Sequence, residues 1–164
     1  MGLLGEWAAL RRFQGLPDGQ REIVFYSEGP QYWVHFQPII EHLTSHLGKT
    51  ICYVSSSPAD PGVQQNHPAI LPFQIGAGFI RTLFFSALNC KIAVLTMPDL
   101  GNLHIKRSGF PVHYAYVFHS LVSTHMIYRS GAFDHYDSFL CCGSHQIEEI
   151  REAEGLFDIP PRSL

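Results

Sequence analysis

The sequence predicts an α/β domain, a doubly wound and mainly parallel Rossmann-like sheet with helices on both faces. Three observations predict it: short apolar runs alternate with segments of helical periodicity, the runs are near-continuously apolar, and each ends in a loop rich in Gly, Pro, Ser or Asn. A strand covered on both faces has no polar side to show water, so continuous apolarity separates this sheet from an antiparallel one with one wet face. With 164 residues, 46% of them hydrophobic and 15% charged, the chain carries enough apolar material for one compact core.

Residues 1–13 place Leu3, Trp7, Leu10 and Phe13 on one helical stripe, with Arg11 and Arg12 near its end. Two roles fit that stripe: a helix docked on the domain, or a short amphipathic helix lying on a membrane surface. A cleavable leader fits poorly, because the charges follow the apolar residues. No apolar run reaches the roughly 18 to 20 residues that span a bilayer. The longest candidate, 70–87, is broken by Pro72, Gln74 and Arg81.

After a turn-rich stretch at 15–20, residues 22–26 read as a buried strand and 27–30 as the turn that leaves it. Phe36, Ile39, Ile40, Leu43 and Leu47 recur at helical spacing, and Gly48 supplies a stop. Residues 50–55 form a second strand, 56–67 a polar loop, 70–75 a short apolar segment and 78–88 a helix. Residues 91–97 are the next strand, followed by a loop over 98–111. A strand over 113–118 runs up to His119, a polar loop covers 120–136, and 137–142 returns to strand. Ser144 then caps a helix through 153. The expected organisation is an amino-terminal helix and turn (1–20), the sheet domain (21–155) and the start of a linker (156–164).

Composition removes several function classes. A net charge of −3, with 11 dispersed Lys and Arg residues, gives no footprint for nucleic acid. Cys52, Cys90, Cys141 and Cys142 lack the CxxC spacing of a zinc knuckle and the density of a disulfide scaffold, so they read as reduced thiols of a cytoplasmic protein. Adjacent Cys141 and Cys142 in a strand point to opposite faces. There is no Walker motif, no GxGxxG and no HExxH or HxH pair, so neither a cofactor nor a metal is expected.

In doubly wound sheets ligands collect at the carboxyl ends of the strands. That rule singles out four loops, 27–30, 55–57, 97–102 and 119–120; in them and in the polar loop that follows, Glu28, Gly29, Asp99, Asn102, Ser120, Ser123, Thr124, His125 and Arg129 are the substrate-binding candidates. Lys106, Arg107 and Arg129 could meet an anionic ligand or be solvated charges. Six histidines (104, 113, 119, 125, 135 and 145) fall in the second half of the chain. Each has an ordinary reading as a surface or hydrogen-bonded core residue, but His119, at a strand end beside Ser120, is the candidate general base. A Ser120 nucleophile is disfavoured, since sequence neighbours do not form a triad and the GxSxG elbow is absent. Asp134 and His135 read as part of a turn near Gly131.

Three motifs then carry a resemblance: residues 24–33 (VFYSEGPQYW), 96–102 (TMPDLGN) and 117–126 (VFHSLVSTHM), continued by 131–137 (GAFDHYD) and 142–145 (CGSH). Over roughly 21–154 the chain resembles the CDP-glycerol glycerophosphotransferase family, teichoic-acid-polymerase-like enzymes of GT-B architecture. The family's Trp-His-Gly-Thr-Pro motif aligns with Val117-Phe118-His119-Ser120-Leu121, so the histidine matches while Gly, Thr and Pro do not. The resemblance implies transfer of glycerol phosphate, or a related polyol phosphate, from a CDP-linked donor to a hydroxyl of a cell-envelope polymer or glycolipid. It implies that this chain is the acceptor-side half, with His119 as base and the donor held by a second domain. It also implies a cytoplasmic enzyme at the inner face of the membrane, with self-association through surface meant for that second domain. The alternatives are a non-catalytic binding domain, or half of another GT-B glycosyltransferase or sugar-nucleotide epimerase.

Overall fold

A computed structural model describes residues 2–98, 100–101, 105–120, 131–157 and 159–164. Its strands are β1 (Ile23–Ser27), β2 (Ile51–Ser55), β3 (Ile70–Gln74), β4 (Ile92–Leu95), β5 (His113–Val117) and β6 (Ser138–Leu140). Its helices are α1 (Leu3–Gln14), α2 (Trp33–Glu41), α3 (Phe79–Ser86) and α4 (Ser144–Leu156). The strands form one sheet in the order β3-β2-β1-β4-β5-β6, parallel at every pairing. The predicted doubly wound α/β fold is therefore present, and its strand order reverses between β1 and β4. At such a reversal the crossovers leave toward opposite faces and open a crevice at the carboxyl ends.

The pleat sorts the strand residues between two cores. Val24, Tyr26, Cys52, Val54, Ala93, Leu95, Tyr114 and Tyr116 face α1 and α3, while Phe25, Ile51, Tyr53, Val94, Ala115 and Val117 face α2. On the first side Tyr116 is ringed by Phe118, Phe133, Tyr136 and Phe139 at centroid distances of 4.8 to 6.4 Å. Each such aromatic pair adds about 0.5–1.5 kcal/mol beyond its buried area.

The amino-terminal helix docks by its second half. Leu10 and Phe13 are buried, and the Phe13 ring meets Phe73 at 5.5 Å and Phe84 at 5.1 Å. Leu3, Leu4 and Trp7 remain exposed. Among the described residues no helix is long and apolar enough to cross a membrane.

Three expectations are corrected. The apolar segment 70–75 is a full edge strand, β3, although Pro72 weakens its strand signature. On an outer edge the missing N–H costs no ladder bond. Ser144 is the first helical residue of α4 rather than its cap, and Gly143 in extended conformation occupies the cap position. The helix after β1 also changes pitch twice, from a 3₁₀ turn (Pro30–Tyr32) through α2 to a π segment (His42–His46). Pro38 inside α2 withholds one backbone donor, and Thr44 hydrogen-bonds back to the Ile40 carbonyl at 2.8 Å.

Candidate functional site

The carboxyl edge of the sheet is assembled from the turns after β1, β2, β4 and β5. After β1, the buried Ser27 hydroxyl donates to the Gly29 carbonyl at 2.8 Å and accepts the Gly29 amide at 3.3 Å, which folds the chain tightly into the 3₁₀ turn. Glu28 is half-buried, and burial pushes its carboxyl up from the ordinary value while the positive charge of Arg81 on α3 opposes the rise. The Arg81 Nε is itself buried, without a hydrogen-bond partner among the described residues.

After β2 lies a closed polar knot. Asp60 is fully buried, and its carboxylate accepts from the Tyr53 hydroxyl at 3.1 Å, the Ser55 hydroxyl at 2.8 Å and the Gly62 amide at 2.9 Å. Gly62 is required there, because a Cβ would stand 2.1 Å from the Tyr53 ring. Every group in the knot is answered by another, so it serves folding.

After β4 and β5 the polar groups are not answered. Thr96 is 1% exposed, and its hydroxyl has no partner among the described residues. His119, two residues past the end of β5, is half-buried, and its Nδ1 is buried and equally unpartnered. Tyr32 meets the His119 ring edge-to-face at 5.3 Å, and His35 of α2 stands beside it at 5.9 Å between ring centroids. Because β4 lies between β1 and β5, this contact between the β1 crossover and the β5 turn passes over the end of β4, where Thr96 stands. Burial, and secondarily a charge on His35, lower the His119 pKa, so the ring is a neutral imidazole at physiological pH. A neutral imidazole can accept a proton from a hydroxyl.

Ser120 contributes through its backbone: its carbonyl accepts from the fully buried Gln146 side chain at 2.9 Å, while the Gln146 carbonyl oxygen accepts the Cys142 amide at 2.8 Å. Gln146 thus ties the turn after β5 to the start of α4 and holds His119 in place. Of the ten nominated residues, Glu28, Gly29, His119 and Ser120 stand on this carboxyl edge. Asp99, Asn102, Ser123, Thr124, His125 and Arg129 lie outside the described residues.

Arg107 is not a ligand-facing cation. It makes a bidentate pair with Asp137 at 3.0 and 3.1 Å and donates to the Val112 and His135 carbonyls, all just ahead of β5 and β6 and hence at the amino edge of the sheet. His135 packs its ring over Gly101, whose φ of +95° and missing Cβ make room for it. Asp134 closes the predicted turn through its amide to the Gly131 carbonyl at 3.3 Å. Cys141 packs against the core while Cys142 is exposed, and both lie beyond β6, which ends at Leu140 and is shorter than the strand expected over 137–142. Burial pushes the Cys52 and Cys90 thiols up to about 12, which leaves them inert. A groove of about 520 Å³ between α1, β3 and the 58–64 loop, lined mainly by Ala8, Ala9, Pro58, Val63 and Pro72, lies at the β3 edge, away from His119.

Sequence reasoning missed two members of the site. His35 sits in a helix whose apolar stripe already accounts for the segment, and Thr96 reads as an ordinary strand residue. The available signal was positional, since the first crossover helix of a doubly wound sheet borders the crevice. Comparison with protein-family models, with curated proteins and with solved structures finds no match to this chain.

Proposed function

We propose that this domain is the acceptor-side half of a glycerophosphotransferase-type enzyme, working at the inner face of the membrane on a hydroxyl of an envelope polymer or glycolipid. The observation that carries the reading is His119: an imidazole at the carboxyl edge of a doubly wound sheet whose pKa burial lowers, with Nδ1 buried and unpartnered among the described residues. In the proposed reaction the acceptor hydroxyl gives its proton to His119 as its oxygen bonds to the glycerol-bearing phosphorus of a CDP-linked donor. The bond from that phosphorus to the CMP leaving group breaks. The nucleotide is assigned to a second domain, and no step calls for a metal.

A second reading, a binding module without catalysis, draws on one observation: among the described residues nothing orients His119 through Nδ1, as a carboxylate or carbonyl orients most general bases. Calorimetry separates the assignments. The 164-residue chain is expected to bind glycerol-phosphate oligomers and not CDP-glycerol, and micromolar binding of CDP-glycerol to this chain alone would overturn the assignment of halves. Oligomer binding unaffected by His119→Ala would remove the site from β5.

A further inference from the structure

We infer that Arg162 is a positioning residue for His119, acting from beside the start of β6 through α4 and through the aromatic cluster around β5. The inference stands on contacts and not on the chemistry assigned to His119, so it is independent of the reaction proposed above.

The argument begins with Arg162 itself, whose side chain is 12% exposed. Three parts of the fold meet on its guanidinium. Nε donates to the Glu154 carboxylate of α4 at 2.9 Å, a terminal nitrogen donates to the Phe133 carbonyl at 2.8 Å, and the planar group lies over the Phe139 ring of β6 at 4.7 Å. The Arg162 amide donates to the same Glu154 oxygen at 3.1 Å, and Arg151 donates to the Arg162 carbonyl at 3.0 Å. A planar, forked cation can answer a carboxylate, a carbonyl and a ring face together, which a lysine ammonium cannot.

Two paths lead from there to His119. The buried residues of α4 are Gln146, Ile150 and Glu154, spaced by four and so on one face. Tertiary packing seats a helix, and here one isoleucine and two polar anchors supply it. The anchors stand about 12 Å apart along the helix axis. Glu154 is held by Arg162 and Arg151, while Gln146 donates to the Ser120 carbonyl and accepts the Cys142 amide. A shift of α4 at Glu154 is therefore carried to the turn that holds His119. The second path is aromatic. Phe118, the residue before His119, packs on Phe133 at 5.6 Å and on Phe139 at 6.2 Å, the two residues that Arg162 touches. A close-packed interior has no slack to absorb a displacement, so it passes one on.

The test is NMR on the 164-residue chain with amides and imidazoles labelled, in the wild type and in Arg162→Ala. Two quantities are read: the His119 ring resonances, and the hydrogen-exchange rate of the Cys142 amide, which reports the tie to Gln146. Arg162→Ala is expected to move the His119 resonances and to speed Cys142 exchange by about tenfold, the scale of one lost hydrogen bond. The amides of β1 and β2 should keep their wild-type rates. Glu154→Gln serves as the second variant: it keeps the shape of the α4 face, removes the charge that Arg162 answers, and should produce both changes at smaller amplitude. A dispersed amide spectrum reports an intact fold in each. His119 resonances that stay in place in both variants overturn the role of Arg162, and so does a uniform rise in exchange across the whole sheet, which is what a residue serving stability alone would give.

Discussion

The Asp60 knot and the His119 cluster are both polar groups buried at the carboxyl edge of one sheet, two strands apart from each other's nearest side, and they are built on opposite principles. In the knot a fully buried carboxylate meets three donors and nothing is left over. In the cluster a buried hydroxyl and a buried ring nitrogen have no partner among the described residues. An unanswered buried polar group costs about 1–3 kcal/mol, a cost that a fold without use for the group would have shed by substitution. The difference teaches that polarity at a strand end can be closed on itself, as in the knot, or left open, as at Thr96 and His119.

The largest expected effect tests the cluster. Supplied with a donor domain, His119→Ala should lower turnover by about two to four orders of magnitude, the range for loss of a general base, with the thermal midpoint nearly unchanged. Near-normal turnover would reduce the cluster to a packing defect. The same residue has a pH signature. A folded pKa below the ordinary value near 6.5 means that the unfolded chain binds this proton more readily. Its contribution to stability is thus complete above that value and is lost as pH falls through the folded pKa. Midpoints measured downward from pH 7 should fall less steeply in His119→Ala than in the wild type.

The next effect tests the knot. Asp60→Ala strands the Tyr53 and Ser55 hydroxyls and the Gly62 amide, and should cost about 2–5 kcal/mol in urea denaturation. A loss under about 1 kcal/mol would show that water answers those donors as well as the carboxylate does. The smallest effect sharpens the contrast most. Thr96→Val removes an unpartnered hydroxyl at nearly constant volume and should leave stability unchanged or raise it by about 1 kcal/mol. A clear destabilisation would mean that the Thr96 hydroxyl has a partner after all.

Legibility followed burial. β1, β2, β4 and β5 were readable because most of their residues are buried on both faces, so their sequences are nearly uninterrupted apolar runs. β3 escaped because an edge strand tolerates what a central one excludes: Pro72, and the half-exposed Leu71 and Gln74. His119 was readable because a strand end is a local feature. His35 and Thr96 were not, because what singles them out is a meeting with a residue far along the chain, across a strand that periodicity cannot place. Arg107 misled for the same reason: its loop was visible, but which edge of the sheet it returns to depends on where Asp137 lies.

Both borders of the sheet are closed to growth. On β3 Pro72 offers no amide, and its carbonyl is taken by the Arg12 guanidinium of α1. On β6 the segment 162–164 folds back: Ser163 bridges Ser138 and its carbonyl accepts the Phe139 amide at 2.9 Å, while Arg162 is anchored on the buried Glu154 at 2.9 Å. An open strand is a template for the next molecule, and fibrillar assembly begins by adding strands to it. Among the described residues, copies that meet in a crowded solution present side-chain surfaces such as Leu3, Trp7 and Phe79, and a protease that cuts between α4 and residues 162–164 would uncover the border that this segment keeps sealed.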